Sequence, residues 1–435
     1  MAQWRARHAL GDRDLRAGVV SCTGDSTGAR AAGRGVTETM DDAVAEPPTA
    51  AHPAVLPVTA PAVRSDPPPG PRAARPRVAF TIEALTVGGA ERMVVAMANA
   101  FAADGAEAHV VCLAEAGELA AELEPEVRLH VLGKRPGIDA RLLPRLRRLL
   151  RGIRPDAVNS HLWVANLWTR LALAGSGTRV VVTEHNRDVW KSRLYRGIDR
   201  ALVPVTDLMV AVSEDTADFY RSDVGIPARL VRVINNGIDT ATYARGDGRA
   251  LRALWVPEGQ LLVGSVGRLA AAKNHVRLVE AARLLVDAGH SLRVVIVGEG
   301  PERERIEAAV RERGLEQVVR LAGARSDVPD VLAALDLFVL SSDREGHPLA
   351  ALEAQAAGTP VVLTRAGGNA DAIAADGARV GGVLADPDAA SLAEAIGALL
   401  ADPVRLAEMA AFAREHALEY FDTRRMVERY AAVLG

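Results

Sequence analysis

The sequence predicts an α/β protein of two doubly wound parallel-sheet domains facing across a cleft, preceded by a tail that belongs to neither. Three observations carry this prediction. Short Val- and Ile-rich runs with little alternation recur from residue 77 onward, as in strands buried on both faces of a parallel sheet. Amphipathic segments separate most of them, so strand and helix alternate. The same rhythm then restarts after a stretch rich in glycine and charge near residues 239–259. At 435 residues the chain also exceeds what one hydrophobic core organises.

Residues 1–75 form the expected tail. Of the chain's 23 prolines, 10 fall between Pro47 and Pro76, and Ala, Gly and Arg fill much of the rest, so this stretch supplies no core and is expected to be disordered. Met40 offers an alternative start. Met1 to Val20 carries scattered Arg and Asp without the apolar segment of a secretory signal. Nowhere do about 18 apolar residues run uninterrupted, so no spanning helix is expected.

Residues 76–245 read as the first domain, with strands at Val78–Ile82, Ala108–Leu113, Val127–Leu132, Ala157–Ser160, Val180–Thr183, Leu208–Val212 and Val231–Ile234. Glu91 to Ala103 is one of the intervening helices. Between Lys134 and Arg154 eight basic residues accompany one acid, Asp139, while Leu142, Leu143, Leu146, Leu149 and Leu150 recur at helical spacing. Such a helix either faces the domain core with solvated arginines or rests on anionic lipid. Residues 246–418 read as the second domain, with strands at Leu261–Val266, Leu292–Val297, Val318–Leu321, Leu337–Leu340, Pro360–Leu363 and Val380–Val383. Residues 419–435 close the chain with a helix, Asp422 to Leu434, expected to pack back on the first domain.

Composition narrows the function classes. A formal net charge of −3 argues against a nucleic-acid binder, which needs a surplus of Lys and Arg to displace counterions. Two cysteines, Cys22 and Cys112, are too few for a disulfide framework or a cysteine-based metal site, and a reducing compartment follows.

Three features of the second domain have the chemistry of a nucleotide-diphosphate site. Gly267-Arg268-Leu269 and Lys273 follow a strand, placing a guanidinium and an ammonium where a diphosphate leaving group could be held; a solvated basic loop is the alternative. Glu345-Gly346-His347-Pro348-Leu349 opens a helix that carries Glu353, with Pro348 suited to its first turn and backbone N–H groups free to bind an anion. Capping or surface charge is the alternative for the two glutamates. Gly367-Gly368-Asn369 allows close backbone approach after the next strand. Val297-Gly298-Glu299-Gly300-Pro301 lacks the third glycine of a dinucleotide fingerprint, which counts against an oxidoreductase. His161 and His185, at strand ends of the first domain, are either satisfied structural residues or contacts to the donor sugar or an acceptor hydroxyl.

In this order the motifs resemble those of the retaining GT-B glycosyltransferases of family 4. The resemblance extends over Val87-Gly88-Gly89-Ala90-Glu91-Arg92, Thr183-Glu184-His185-Asn186, Val212-Ser213, Ile234-Asn235-Asn236-Gly237-Ile238-Asp239, Gly267-Arg268-Leu269, Val297 to Pro301 and Glu345 to Glu353, leaving only the tail uncovered. It implies two Rossmann-like domains, with the acceptor on the first and a nucleotide-sugar donor, a co-substrate rather than a cofactor, on the second. By that resemblance Arg268 and Lys273 hold the diphosphate, Glu353 the ribose, and Glu345 with Gly346, His347, Pro348 and Leu349 the transferred sugar. Gly88 and Gly89 approach the donor, while Gly368, Asn369, His185 and Asn186 contact substrate. Arg268, Lys273, Glu345 and His161 form the expected catalytic set, with no metal.

The expected activity is transfer, with retention and without metal, to a glycan, glycolipid or small-molecule acceptor. An epimerase, a glycoside phosphorylase and a non-catalytic binding protein are the alternatives on this fold. The cytoplasm is the expected location, with peripheral contact at the inner membrane face if residues 134–154 meet lipid. Two departures stand out. Asn159 and Val164 occupy positions where similar enzymes often carry histidine, and Asp371 stands where glutamate is common.

Overall fold

Successive residues of a strand point to opposite faces, so a run buried on both sides is mainly apolar, with any buried polar side chain hydrogen-bonded. β1 (Arg77–Ile82) does this: Val78, Phe80 and Ile82 enter one core and Ala79 the core on the other face. The computed structural model describes residues 75–377 and 379–435, all in one compact unit. The expected tail, apart from Arg75, lies outside them.

After β1 come α1 (Gly89–Ala103), β2 (Glu107–Cys112), β3 (Arg128–Val131), α2 (Leu142–Ile153), β4 (Ala157–His161), α3 (Leu162–Leu173), β5 (Arg179–Glu184) and α4 (Arg193–Ala201). β6 (Leu208–Ala211), α5 (Glu214–Asp218), β7 (Val231–Val233) and α6 (Thr240–Ala244) complete this half. Its seven strands run parallel in the order β3-β2-β1-β4-β5-β6-β7.

The leucine stripe of α2 faces inward. Leu142, Leu146 and Leu150 are at most 1% exposed and pack with Ala79, Val111 and Val158. Arg145 pairs with Asp139, and Arg147 donates to the Ala172 and Ala174 carbonyls. The leucines of residues 134–154 thus follow the core-facing alternative, and no apolar face of this helix is left to enter a membrane.

The second half runs α7 (Arg249–Trp255), β8 (Leu261–Val266), α8 (His275–Asp287), β9 (Leu292–Val297), α9 (Arg303–Glu312), β10 (Val319–Gly323), α10 (Val328–Ala334), β11 (Leu337–Leu340), α11 (Leu349–Ala357) and β12 (Val361–Thr364). β13 (Ala375–Asp376), β14 (Arg379–Val380), β15 (Gly382–Ala385), α12 (Ala389–Leu400) and α13 (Pro403–Tyr420) follow. Six strands pair in parallel as β10-β9-β8-β11-β12-β15.

The expected strand Val380–Val383 is in fact divided. Val380 belongs to a short antiparallel hairpin with β13, and only from Gly382 does the chain join the sheet. Between them the Gly381 N–H donates to the Ala374 carbonyl at 2.8 Å while its own carbonyl accepts from the Val361 N–H at 3.1 Å, so the chain changes partners there.

α14 (Thr423–Leu434) returns to the first half. Met426, Val427, Tyr430 and Leu434 enter its core, and Arg179 Nε donates to the Val433 carbonyl at 2.6 Å. Both sheets reverse strand order beside their first strand, at β1/β4 and β8/β11. In doubly wound sheets ligands bind at the carboxyl ends of strands flanking such a reversal. Among the described residues no helix is long and apolar enough to cross a membrane.

Candidate active site

At the β8/β11 reversal the chain leaves β8 through Gly267-Arg268-Leu269. The Gly298–Gly300 segment braces this turn: Gly267 N–H donates to Val297 O and Leu269 N–H to Glu299 O. A Cβ on Gly298 would lie 1.9 Å from the Gly267 carbonyl oxygen, so only glycine fits. The segment that looked like an incomplete fingerprint is therefore the support of the Arg268 loop. The Arg268 side chain is exposed and has no hydrogen bond or ion pair among the described residues. Lys273, five residues on, is already held: its Nζ donates to Glu345 Oε1 at 2.6 Å, and Ser342 Oγ donates to the same oxygen at 2.6 Å.

Glu345 lies in the loop between β11 and α11. Pro348 is the residue before the first turn of α11 rather than within it, in extended conformation. Beyond it the N–H groups of Leu349 and Ala350, like those of Gly346 and His347, find no acceptor among the described residues. These are the donors a helix start leaves for an anion. Glu353 sits one turn into α11, where Tyr243 of α6 donates to its Oε1 at 2.7 Å. Burial raises the Glu353 pKa, against the Tyr243 hydrogen bond and the charge of Arg92 on α1. Gly89 closes the ring, its Cβ position 3.6 Å from Leu349 Cδ1. Tyr243 and Arg92 were not singled out from sequence. Arg92 ends the Val87–Arg92 motif, but nothing local to Tyr243 signals its partner 110 residues away.

The two halves meet at this ring. A Cβ on Gly346 would fall 1.7 Å from the His185 carbonyl oxygen, and one on Gly368 the same distance from the Gly346 carbonyl oxygen and 2.6 Å from Ser213 Cβ. Asn236 Nδ2 donates to the His347 carbonyl at 2.8 Å, and Asp371 accepts from the Glu214 N–H at 2.6 Å. Three expected contacts change accordingly. Gly368 approaches protein backbone rather than an open cleft. Asn369 is fully buried, its Nδ2 donating to the Thr364 carbonyl. The His347 ring is buried, with Nε2 3.2 Å from the Asp371 carbonyl, and burial pushes its pKa down to about 4.

On the first sheet His161 ends β4. Asn159 Nδ2 donates to the Val181 carbonyl at 3.2 Å and to Thr183 Oγ1 at 2.9 Å, which leaves Oδ1 facing His161 Nε2 at 2.8 Å. His161 Nε2 therefore carries the proton. Its Nδ1 then accepts from His185 Nε2 at 3.0 Å, which leaves His185 Nδ1 with a lone pair and no protein donor among the described residues. Burial lowers both histidines, His185 to about 4, so the relay is neutral at neutral pH. His161 is 0% exposed with both ring nitrogens engaged. Among the described residues it therefore keeps no free ring nitrogen, and its ring links Asn159 to His185. Nitrogen NMR should show His185 Nε2 as protonated and Nδ1 as unprotonated, unchanged between pH 5 and pH 8; the opposite tautomer would overturn the relay. Because the folded pKa lies below the usual 6.5, stability from His185 is full above that value and lost as pH falls through about 4.

Behind His185 the loop to Lys191 is tied down by buried charge. Lys191 Nζ lies 3.0 Å from Asp199, 3.1 Å from Asp188 and 3.7 Å from Glu184, and donates to Tyr220 Oη at 2.9 Å. Arg170 pairs with Asp199 at 2.7 Å. A hollow of about 610 Å³ lined by Trp255, Pro257, Arg293, Glu316 and Arg320 lies at the opposite, amino-terminal ends of β9 and β10, remote from these groups.

Two doubly wound halves whose strand-order reversals converge on cations, a helix start and a histidine relay define a GT-B glycosyltransferase architecture. Residues 87–242 match the family description "Glycosyltransferase Family 4" and residues 250–416 match "Glycosyl transferases group 1". A D-inositol 3-phosphate glycosyltransferase of Corynebacterium urealyticum is 30% identical over 317 residues, covering 65% of this chain and 72% of that protein. A 2-deoxystreptamine glucosyltransferase of Streptomyces kanamyceticus is 33% identical over 47% of this chain and 54% of its own length. Among solved structures, Anabaena HepE in complex with UDP superposes with a TM-score of 0.73 at 23% identity, over 82% of this chain and 99% of that one. The chain belongs to the family 4 glycosyltransferases.

Proposed function

We propose that this enzyme transfers a hexosyl or related group, with retention and without a metal, from a nucleotide-diphosphate sugar to a glycan, glycolipid or small-molecule acceptor. The observation that carries the reading is the unpaired Arg268 beside Lys273 and the open N–H groups of α11, all at one strand-order reversal. As the bond between sugar and phosphate breaks, charge accumulates on the departing diphosphate, and fixed cations stabilise that state without a metal. Glu353 keeps Oε2 open for the ribose while Tyr243 occupies Oε1. Glu345, Gly346 and Leu349 border the space for the transferred sugar, with Gly88 and Gly89 across from them. His185 offers an acceptor atom to a sugar hydroxyl, and Asn186 follows it on the exposed loop. The UDP bound by HepE makes a uridine donor the first to test.

Melting-shift screening with a panel of nucleotide sugars tests donor class, since a ligand selective for the folded state raises apparent stability. At least one member should raise the melting temperature, and excess chelator should leave the shift and turnover intact. NMR of the product should show the donor's anomeric configuration. No shift from any nucleotide sugar would overturn the reading, and a chelator-abolished activity would remove its metal-free part. An isomerised donor without acceptor, or sugar phosphate formed with inorganic phosphate, would favour an epimerase or a phosphorylase.

A further inference from the structure

Beside the histidine relay three aromatic rings stand together that the donor site does not use. Trp163 opens α3 two residues after His161, Trp190 lies five residues past His185, and Tyr195 is on α4. Their centroids are 5.7 Å (Trp163–Trp190), 4.8 Å (Trp163–Tyr195) and 5.5 Å (Trp190–Tyr195), all edge to face. Edge-to-face packing fixes the orientation of each ring. Trp190 is 56% exposed.

As packing alone this cluster is costly. The Trp163 indole N–H is buried without a hydrogen-bond partner, a penalty that a phenyl ring at the same place would not carry. Leu162, between His161 and Trp163, holds a left-handed backbone (φ 67°) that costs a branched residue about 1–2 kcal/mol. The buried ion cluster around Lys191 fixes the residue next to Trp190. Two costs and a buried ion cluster thus maintain one exposed indole on the loop that carries His185.

We propose that Trp190, supported by Trp163 and Tyr195, is the floor of the acceptor subsite, and that the acceptor presents a polyhydroxylated six-membered ring stacked on it. The inference rests on the glycosyltransferase reading above and adds the acceptor class. Such a ring has an apolar C–H face and a rim of hydroxyls. The indole matches the face; Asn186 and Arg193, exposed on the same segment, match the rim. A lipid surface would call for a broad contiguous apolar patch. Here the exposed apolar neighbours on the same segment are only Val189 and Leu194, set among charges. A ring on this floor sits on the loop that carries His185, whose Nδ1 lone pair can accept from one of its hydroxyls.

The test uses the full chain and four probes: the methyl α-pyranosides of glucose, mannose and galactose, and myo-inositol. Saturation-transfer NMR should give the strongest signals from ring C–H protons of at least one probe. Trp190→Ala should weaken that binding about 10-fold, the scale of one aromatic stacking contact, and Trp190→Phe should recover much of it. Nucleotide-sugar melting shifts, measured on the same variants, should not change. No saturable signal from any probe, or equal signals in wild type and Trp190→Ala, overturns the proposal, as does Trp190-dependent binding to phosphatidylcholine vesicles in place of the ring probes. Failure of the donor shifts would instead strike the glycosyltransferase reading, because the ring signals are read without donor.

Discussion

Lys191→Met is expected to lower the free energy of unfolding by about 3–5 kcal/mol, the cost of removing one partner from a buried ion cluster. Arg170 and Lys191 bring two positive charges against three carboxylates, Glu184, Asp188 and Asp199. Burial opposes the charge on Lys191, but Glu184, Asp199 and Asp188 together outweigh it and raise its pKa. Glu184, farther away at 3.7 Å and with Oε1 lacking a hydrogen bond, is the surplus acid, and burial raises it to about 7 despite Lys191. With the folded pKa above the usual 4.5, stability from Glu184 is full below 4.5 and lost as pH rises through about 7. Glu184→Gln should therefore stabilise the protein more at pH 8 than at pH 5, and should recover part of the loss in Lys191→Met. Denaturant titrations of the two single variants and the double variant at both pH values check this. A Lys191→Met protein within about 1 kcal/mol of wild type would show that the cluster is not held by charge, since breaking such a pair costs several times that.

The fold was legible because its physics is local. Strands buried on both faces need unbroken Val and Ile, and the helix after Asp422 carries its core-facing stripe in its own sequence. The division at Gly381 was not legible, since it depends on hydrogen bonds to Ala374 and Val361, which no window around Gly381 reveals. The site divides in the same way. Arg268, Lys273 and Glu345 are marked by their type and their place after strands, and the structure brings Lys273 and Glu345 into contact. His161 and His185 carry identical local signals, yet one is an internal link and the other its open end. What separates them is Asn159, whose amide orientation is dictated by Val181 and Thr183 on the neighbouring strand. It stands where similar enzymes often carry histidine, and its packing makes it the anchor of the relay. Tyr243 and the aromatic floor are likewise products of tertiary contact.

Arg268→Ala is expected to cut turnover by roughly 10²–10³ while leaving stability unchanged, the scale seen when one preorganised electrostatic donor is removed. The side chain is exposed and touches no protein partner among the described residues, so its loss leaves no group unpaired and opens no cavity. Lys273→Ala is expected to lose a comparable factor for a mixed reason. Its ammonium is bound to Glu345, whose side chain is 9% exposed, so the variant loses a phosphate ligand and also frees a nearly buried carboxylate beside the departing anion. Lys273→Ala should accordingly cost some stability where Arg268→Ala costs none, and Lys273→Ala combined with Glu345→Gln should regain stability without regaining turnover. Glu353→Gln should chiefly weaken donor affinity, because an amide offers one acceptor oxygen where the carboxylate offers two and Tyr243 already claims one. Turnover, donor affinity and melting curves for the five proteins separate these outcomes. Near-normal turnover in Arg268→Ala would remove the assignment of the diphosphate to this strand end, whereas a matched loss of stability and turnover would mean that Arg268 serves the fold rather than the donor.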